Sequence, residues 1–513
     1  MPTATTMRVP DAPKTRPSTS LVAPPNKTPQ FTIDAQNKSY KHQYANIYFV
    51  RLRLLRGFVE EQAKKKWNEV AGNPTFVPRV LDVEKGQLCF IIGTVYMDMP
   101  LKPNVLDDIA RDHSIPAPPP RKKFNSPDDI ITLEDESGRV CLVGDRIRSA
   151  GLVTGVIIGA LGIETNSGDF EVVDYVFAGM APQVSSEWDS SKRGEEMDID
   201  ESGDEFPSDE WIALVSGLEV GAPSPTDGEL ELLTEFLTGE LGGLSEQNSA
   251  SRISRLIIAG NSLAPVVSTS NSVTEEVDRK TRRYGQESAA FSPHPTINLG
   301  DHLLDIARSM PIHVLPGESD PSGTILPQQT LPRAMFGGAS AYSSFRCETN
   351  PAYIHIASGS ASNAAAKNGA SSSKVDASER RRTLLVNSGQ PLNDMFKYLD
   401  SPPHTRLSIA SSTLHWRHMA PTAPDTLWCH PYFTTDPFIF AETPDLYIIG
   451  NQPAFGTKMV TDKQDEDEAR CRIILVPGFR QTGTLVLVNL RTLDVKTVSF
   501  AAQSMGGALS SDV

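Results

Sequence analysis

The sequence predicts two folded units of different class: a small β-barrel over residues 78–184 and a layered α/β domain over 211–513. Three observations lead there. The chain has 513 residues, whereas single hydrophobic cores stop growing at roughly 250–300. Short strand-like runs broken by turn residues crowd into 78–182. From Trp211 the text changes to apolar strands separated by helical stretches, the pattern of a sheet with helices on its faces. Between the two units, residues 185–210 carry eleven carboxylates and two cations and read as an acidic linker.

Composition narrows the function classes. A hydrophobic content of 39% with 22% charged residues is ordinary for a globular protein. No apolar run approaches the roughly 18–20 residues of a membrane span, so no membrane partner is expected. A net charge of -15 argues against gripping phosphate backbones as the main task, and leaves contact with DNA indirect or weak. Five cysteines lie scattered without a C-x-x-C pair, as in a reduced protein lacking a cysteine zinc site. Residues 1–38 are Pro/Thr-rich without an apolar leader and read as a disordered tail.

Residues 39–77 form an N-terminal helical segment. Ile47, Val50, Leu54 and Phe58 recur at helical spacing, with Arg51, Arg53 and Arg56 interleaved. Lys64, Lys65 and Lys66 suit a solvated helix end, with nucleic-acid contact as the alternative. In the barrel region, "GQLCFIIGTVYMDM", "DIITLEDESGRVCLVG" and "LVTGVIIGALGIETNSGDFEVVDYVFAG" are β-rich, and "EDESGR" and "ETNSGD" are hairpin turns. A short helix and a Pro-rich loop, "NVLDDIARDHSIPAPPPRKKF", separate the first two runs. This is the layout of an OB-type barrel. Its aromatics are few and its charge mixed, which favours a protein-binding or structural barrel over a single-strand binder.

In the α/β region the strands are "WIALV", "RLIIAG", "PIHVLPG", "TLLVNSG", "LYIIG" and "CRIILVPG", with a closing hairpin around Arg491 to Asp494. Residues 357–382 are low-complexity and read as a disordered insertion, and "TKMVTDKQDEDEAR" as a second, shorter one. Several strands end alike: an apolar run, a glycine, then a short polar residue. Examples are Ser216-Gly217, Gly260-Asn261, Gly317-Glu318-Ser319-Asp320, Gly389-Gln390 and Gly450-Asn451-Gln452-Pro453. Ligands gather at the carboxyl ends of strands in open α/β sheets, and glycine lets the backbone approach them. Other candidates carry less. Asp301 reads as a helix-start carboxylate before Leu303, Leu304 and Ile306, and Cys429 beside His430 reads as ordinary packing.

These strand ends resemble those of the calcineurin-like metallophosphoesterases, in which Asp-x-His, Gly-Asp-x-x-Asp, Gly-Asn-His-Asp, a lone His and Gly-His-x-His bind two metals. Here the corresponding positions are Ser216 and Leu218, Asn261 and Ala264, Glu318, Ser319 and Asp320, His418, and Asn451 and Pro453. Two divalent cations need several anionic or imidazole ligands. A serine, two amides, a leucine and a proline cannot supply that set, so neither a metal cofactor nor catalysis is expected.

A barrel followed by a decayed phosphoesterase domain resembles the B-subunit family of replicative B-family DNA polymerases, and the wording lies nearest its delta-type members. The stretches that carry the likeness include "LVSGLEVG", "IIAGNSL", "PGESDPSGTILPQQTLPRAMF", "RHMAPTAPDTLWCHPY", "GNQPAFGTK" and "VNLRTL", spread from about residue 39 to 500. The resemblance implies a non-catalytic nuclear scaffold. It implies binding to the C-terminal domain of the delta catalytic subunit and to a further accessory subunit, with sharing by the polymerase zeta catalytic subunit. Two other readings remain: a phosphodiesterase with a divergent site, and an independent single-strand DNA binder.

Overall fold

The computed structural model describes residues 15–25, 27–34, 45–70, 74–103, 121–183, 210–222, 227–265, 292–358, 381–464 and 467–501. The proposed helix and Pro-rich loop before Arg121, the acidic linker up to residue 209, and most of the 357–382 insertion lie outside them.

The chain begins with a strap. Strand β1 (Thr19–Leu21) adds to a sheet edge formed much later in the sequence, pairing antiparallel with 356–358. The Arg16 guanidinium donates to the carbonyls of Leu237, Ala250 and Ile253. Phe31 is 4% exposed, with its ring stacked 5.8 Å from Tyr353 and 6.2 Å from Phe438. The expectation of disorder across 1–38 therefore fails for these residues. Low mean hydropathy hid one strand, one cation and one aromatic, each finding a partner hundreds of residues away.

Helix α1 (Asn46–Trp67) follows. Its buried stripe is Ile47, Val50, Arg51, Leu52, Leu55, Val59, Ala63 and Trp67. The expected face is only half right, because Leu54 and Phe58 point outward at 43% and 42% exposure. The lysines at its end are each matched: Lys64 by Glu60, Lys65 by Glu61 and Lys66 by Asp174. A face neutralised in this way offers phosphate little.

The barrel comprises β2 (Thr75–Phe76), β3 (Leu88–Asp98), β4 (Ile130–Glu134), β5 (Arg139–Val143), β6 (Ile157–Glu164) and β7 (Phe170–Val176), in the order β2-β3-β4-β5-β7-β6. The long strand β3 closes it, pairing with β6 through Leu88–Thr94 and with β4 through Thr94–Asp98. The changeover falls at Thr94, and beside it a Cβ on Gly93 would meet Glu134 O at 2.6 Å. Only glycine lets the two strands approach there.

The α/β region is two six-stranded sheets face to face. One contains β8 (Trp211–Val215), β9 (Ile253–Ala259), β10 (Ile312–Leu315), β11 (Phe345–Cys347), β17 (Thr484–Asn489) and β18 (Val495–Ser499). The other joins β1 to β12 (Ala352–Ser358), β13 (Arg381–Asn387), β14 (Leu446–Gln452), β15 (Gly456–Gln464) and β16 (Asp467–Pro477). Strand alternation divides their side chains. Ile212, Leu214 and Ile257 face the opposite sheet, where Leu384, Val386, Ile448 and Ile474 meet them. Ala213, Val215, Leu256 and Ile258 face helices α2 (Asp227–Thr238) and α4 (His294–Ala307), with α3 (Leu244–Ser251) between these in sequence. Helices α5 (Gln390–Tyr398) and α6 (Arg406–Trp416) cover the outer face of the second sheet.

The sequence predicts one layered sheet and misses β11, β12 and β15. Most of the stretch "TKMVTDKQDEDEAR", expected to be an insertion loop, instead lies in the antiparallel strands β15 and β16, with residues 465–466 outside the described residues. β15 is the edge strand of its sheet, and the exposed Lys458 on it discourages pairing with other chains. Asp301 lies in the middle of the helix His294–Ala307, not at its start.

The barrel does not swing free. One continuous hydrophobic cluster contains Ile91, Leu133 and Leu152 of the barrel together with Tyr398, Trp416, Phe438 and Tyr447 of the layered domain. At its edge Arg51 is fully buried. Its Nε donates to Asp436 Oδ2 at 2.8 Å, Nη1 to the carbonyls of Pro421 at 2.7 Å and Gly155 at 3.2 Å, and Nη2 to Ala423 O at 2.8 Å. Helix, barrel and layered domain thus meet on one guanidinium. His418 Nε2 lies 2.9 Å from the same carboxylate oxygen, and its Nδ1 accepts from the Ala420 N–H. That pattern requires a neutral ring that donates from Nε2. Burial and then Arg51 lower the His418 pKa to about 4. Burial alone would raise Asp436, but His418 and Arg51 hold it well below the ordinary carboxylate range.

Three outcomes are expected. Arg51→Ala strands a buried carboxylate and should lower the unfolding free energy by about 3–5 kcal/mol in denaturant melts. Phe31→Ala should cost about 3 kcal/mol, whereas a loose tail would give no change. Both depressed pKa values mean that the unfolded state binds more protons, so stability falls as pH drops. The His418 contribution is complete above about 6.5, the unfolded value, and is lost towards about 4; Asp436 acts below that. His418→Gln should therefore flatten the decline in melting temperature between pH 6.5 and 4.

Candidate functional site at the strand ends

The carboxyl ends of both sheets interlock at one place. Gly217 N donates to Gly260 O at 2.9 Å, and Phe479 N to Ser216 O at 2.7 Å. A Cβ on Gly260 would lie 2.3 Å from Ser388 Cβ, and one on Gly389 would lie 2.2 Å from Gly450 O. Both glycines also have positive φ, so neither tolerates a side chain. The glycines that look from sequence like an approach for ligand instead admit the neighbouring loop.

Asn261 and Asn451 occupy matching turns on opposite sheets, with φ of 55° and 54°. Among residues with a side chain, Asn is one of the few that takes this left-handed region readily. Their amides also hold the turns. Asn261 Oδ1 accepts from Ser319 N at 3.2 Å. Asn451 Nδ2 donates to the carbonyls of Ser388 at 2.9 Å and Ala259 at 3.2 Å, and its backbone N–H donates to Ser216 Oγ at 2.8 Å. Ser216 Oγ lies 3.2 Å from the carbonyls of Val476 and Pro477.

A second group continues the network. Asn350 Nδ2 donates to Ser388 Oγ at 2.6 Å and Gln328 Oε1 at 2.7 Å, and Gln328 Nε2 donates to Gly317 O at 3.0 Å. Gln390 Nε2 donates to Gln328 Oε1 at 3.0 Å, and Arg406 Nη1 to Gln452 Oε1 at 3.0 Å. The sequence pattern marks Gly389-Gln390 and the Gln452 turn but not Gln328, Asn350, Ser388 or Arg406. Nothing in the spacing of those residues announces their meeting.

Asp320 is the one buried carboxylate of the group. Oδ1 accepts from Leu263 N and Oδ2 from Gly317 N, both at 2.8 Å. Burial raises its carboxyl pKa against these backbone donors and those of Ser262 and Asn261. The remaining positions add no further side-chain link between the two sheets. Leu218 is 8% exposed in the apolar cluster with Val220 and Leu263. Ala264 bonds through its backbone to Val220, Glu318 and Pro453 are exposed, and Ser319 Oγ donates to Leu263 O at 2.7 Å. His418 bonds Asp436 and the Ala420 N–H, in the segment after α6.

The donor chemistry at these positions does not fit two divalent metals. The positions supply hydroxyls and amides bonded mainly to backbone, with the buried Asn451 Oδ1 left unpartnered among the described residues, an exposed Glu318 outside the network, and Asp320, whose two oxygens each hold a loop N–H. Among the described residues, no group of three or more His, Cys, Asp or Glu side chains is placed to hold a metal ion. What the arrangement does is tie the ends of β8, β9, β10, β13, β14 and β16 into one hydrogen-bonded plate. Cys429 is buried, and burial raises its thiol to about 12, which removes it as a nucleophile.

Residues 43–175 match the family described as the DNA polymerase delta subunit OB-fold domain. Residues 212–361 and 377–457 match the B-subunit family of DNA polymerases alpha and epsilon. The DNA polymerase delta small subunit of Arabidopsis thaliana is 34% identical over 475 residues, covering 92% of this chain and 94% of that protein. That of Saccharomyces cerevisiae is 33% identical over 92% of both chains. DNA polymerase delta subunit 2 of Drosophila melanogaster is 30% identical over 91% of this chain and 95% of its own. With an OB-fold barrel in front, a B-subunit match behind it and full-length relatives of one kind, the chain belongs to the DNA polymerase delta small subunit family.

Proposed function

We propose that the chain is the non-catalytic scaffold subunit of a nuclear DNA polymerase delta, acting in replication and repair. In this reading it binds the C-terminal domain of the catalytic subunit and a further accessory subunit, and polymerase zeta is a second client. Its layered domain is an inactivated calcineurin-like phosphoesterase. The observation that carries the proposal is the network around Asn261 and Asn451. Where that class of hydrolase needs several anionic and imidazole ligands, Asn261 and Asn451 present neutral amides bonded to the backbone of neighbouring loops, and the carboxylate of Asp320 holds two loop N–H groups. A plate closed in this way is stiff, and stiffness is what a permanent partner requires of a surface.

The test has two arms. The purified full chain, supplied with Mn²⁺ or Fe²⁺, should retain no stoichiometric metal and hydrolyse no phosphodiester above background. Co-expressed with the catalytic and third subunits, it should co-elute with both on size exclusion and melt at a higher temperature than alone. Turnover that tracks bound metal and is lost in Asp320→Asn would instead establish the divergent enzyme.

A further inference from the structure

The solvent face of α1 is unusually apolar for a helix that has already buried its other side. Phe49 is 54% exposed, Leu54 43% and Phe58 42%. Across from it, just before the Asp436 that Arg51 binds, Phe433 is 54% exposed, and the Asn46 amide holds its carbonyl at 2.8 Å. Phe49 stands as a ridge between two clefts. One, of about 320 Å³, runs towards the β4–β5 turn past Leu52, Glu134 and Arg139. The other, of about 430 Å³, runs past Arg53, Arg56 and Phe433.

Phe49, Arg53 and Gly57 recur every four residues and share one face. Gly57 has nothing within 4 Å of where a Cβ would stand. A glycine inside a helix costs about 1 kcal/mol against alanine, and here it packs against nothing among the described residues. Its effect is to leave a notch where a second helix can approach closely. Arg53 is exposed and has no carboxylate partner among the described residues, whereas Arg56, Lys64, Lys65 and Lys66 each have one.

From this ridge, notch and unmatched cation we infer that the outer face of α1 is the docking site for a helix of a partner subunit. That helix is apolar along one side and carries a carboxylate that meets Arg53. The inference rests on the scaffold reading and gives it a location. Glu136 and Glu134 neutralise Arg56 and Arg139 beside the clefts, so this face offers a phosphate backbone little beyond Arg53 and is a poor seat for nucleic acid.

The experiment co-expresses the full chain with the full-length third accessory subunit or the full-length catalytic subunit, and compares Phe49→Glu, Arg53→Glu and Gly57→Leu. All three positions are exposed, and Gly57→Leu improves helix propensity, so each variant should melt no lower than the parent. Each should weaken capture of one of the two subunits by about tenfold or more, leaving the other held. Amide exchange over residues 46–67 should slow in that complex. Unchanged capture of both subunits by all three variants overturns the inference while leaving the scaffold reading intact. So does loss of a parent homodimer, or of single-stranded oligonucleotide binding, with both subunits retained. If the parent chain holds neither subunit, the scaffold reading falls and this inference with it.

Discussion

The architecture depends on a buried guanidinium. Arg51 is the one charged side chain in the apolar stripe of α1, and it reaches a carboxylate and three backbone carbonyls at once. Taking such a group out of water costs several kcal/mol, which is recovered only when every donor finds an acceptor. The acceptors come from the barrel at Gly155 and from the layered domain at Pro421, Ala423 and Asp436. Gly155 belongs to the same solution. Its φ is +89°, and a Cβ there would lie 2.0 Å from Pro421 O. The interaction is therefore satisfied only when helix, barrel and layered domain are all in place, and the shared hydrophobic cluster then forms around it.

The strand ends apply the same rule with neutral groups. Left-handed turns at Asn261 and Asn451 let loops from opposite sheets cross within van der Waals contact. The amides then satisfy the carbonyls that this crossing buries. Acidic or imidazole side chains in those turns would have to be paired or solvated, and both require room. Closure at this rim and a pair of hydrated cations are alternative uses of one space.

Much of the fold is legible in the sequence, for identifiable reasons. The hairpins at "EDESGR" and "ETNSGD", the six apolar strands and the final hairpin are local patterns, each set by period and turn chemistry. Misses fall where distant residues decide the outcome. Thr19–Leu21 is a strand only because 356–358 offers an edge. Leu54 and Phe58 have core-like chemistry, yet the barrel packs against the stripe that holds Arg51 instead. A guanidinium interleaved among apolar residues reads as a solvated face unless the carboxylate that receives it, 385 residues further along, is known. At the rim, the glycine-polar rhythm is visible in the sequence. The bonding between Gln328, Asn350 and Ser388 is not, because it needs three-dimensional register.

The joining of barrel and layered domain into one body is the claim on which a scaffold role most depends. Native-state amide hydrogen exchange of the full chain under increasing denaturant tests it directly. A single unit should open, with β3 and β6 of the barrel and β14 and β16 of the layered domain losing protection at one free energy, and Arg51→Ala should split them. Barrel amides that exchange in the parent chain well before those of the layered domain would contradict the account.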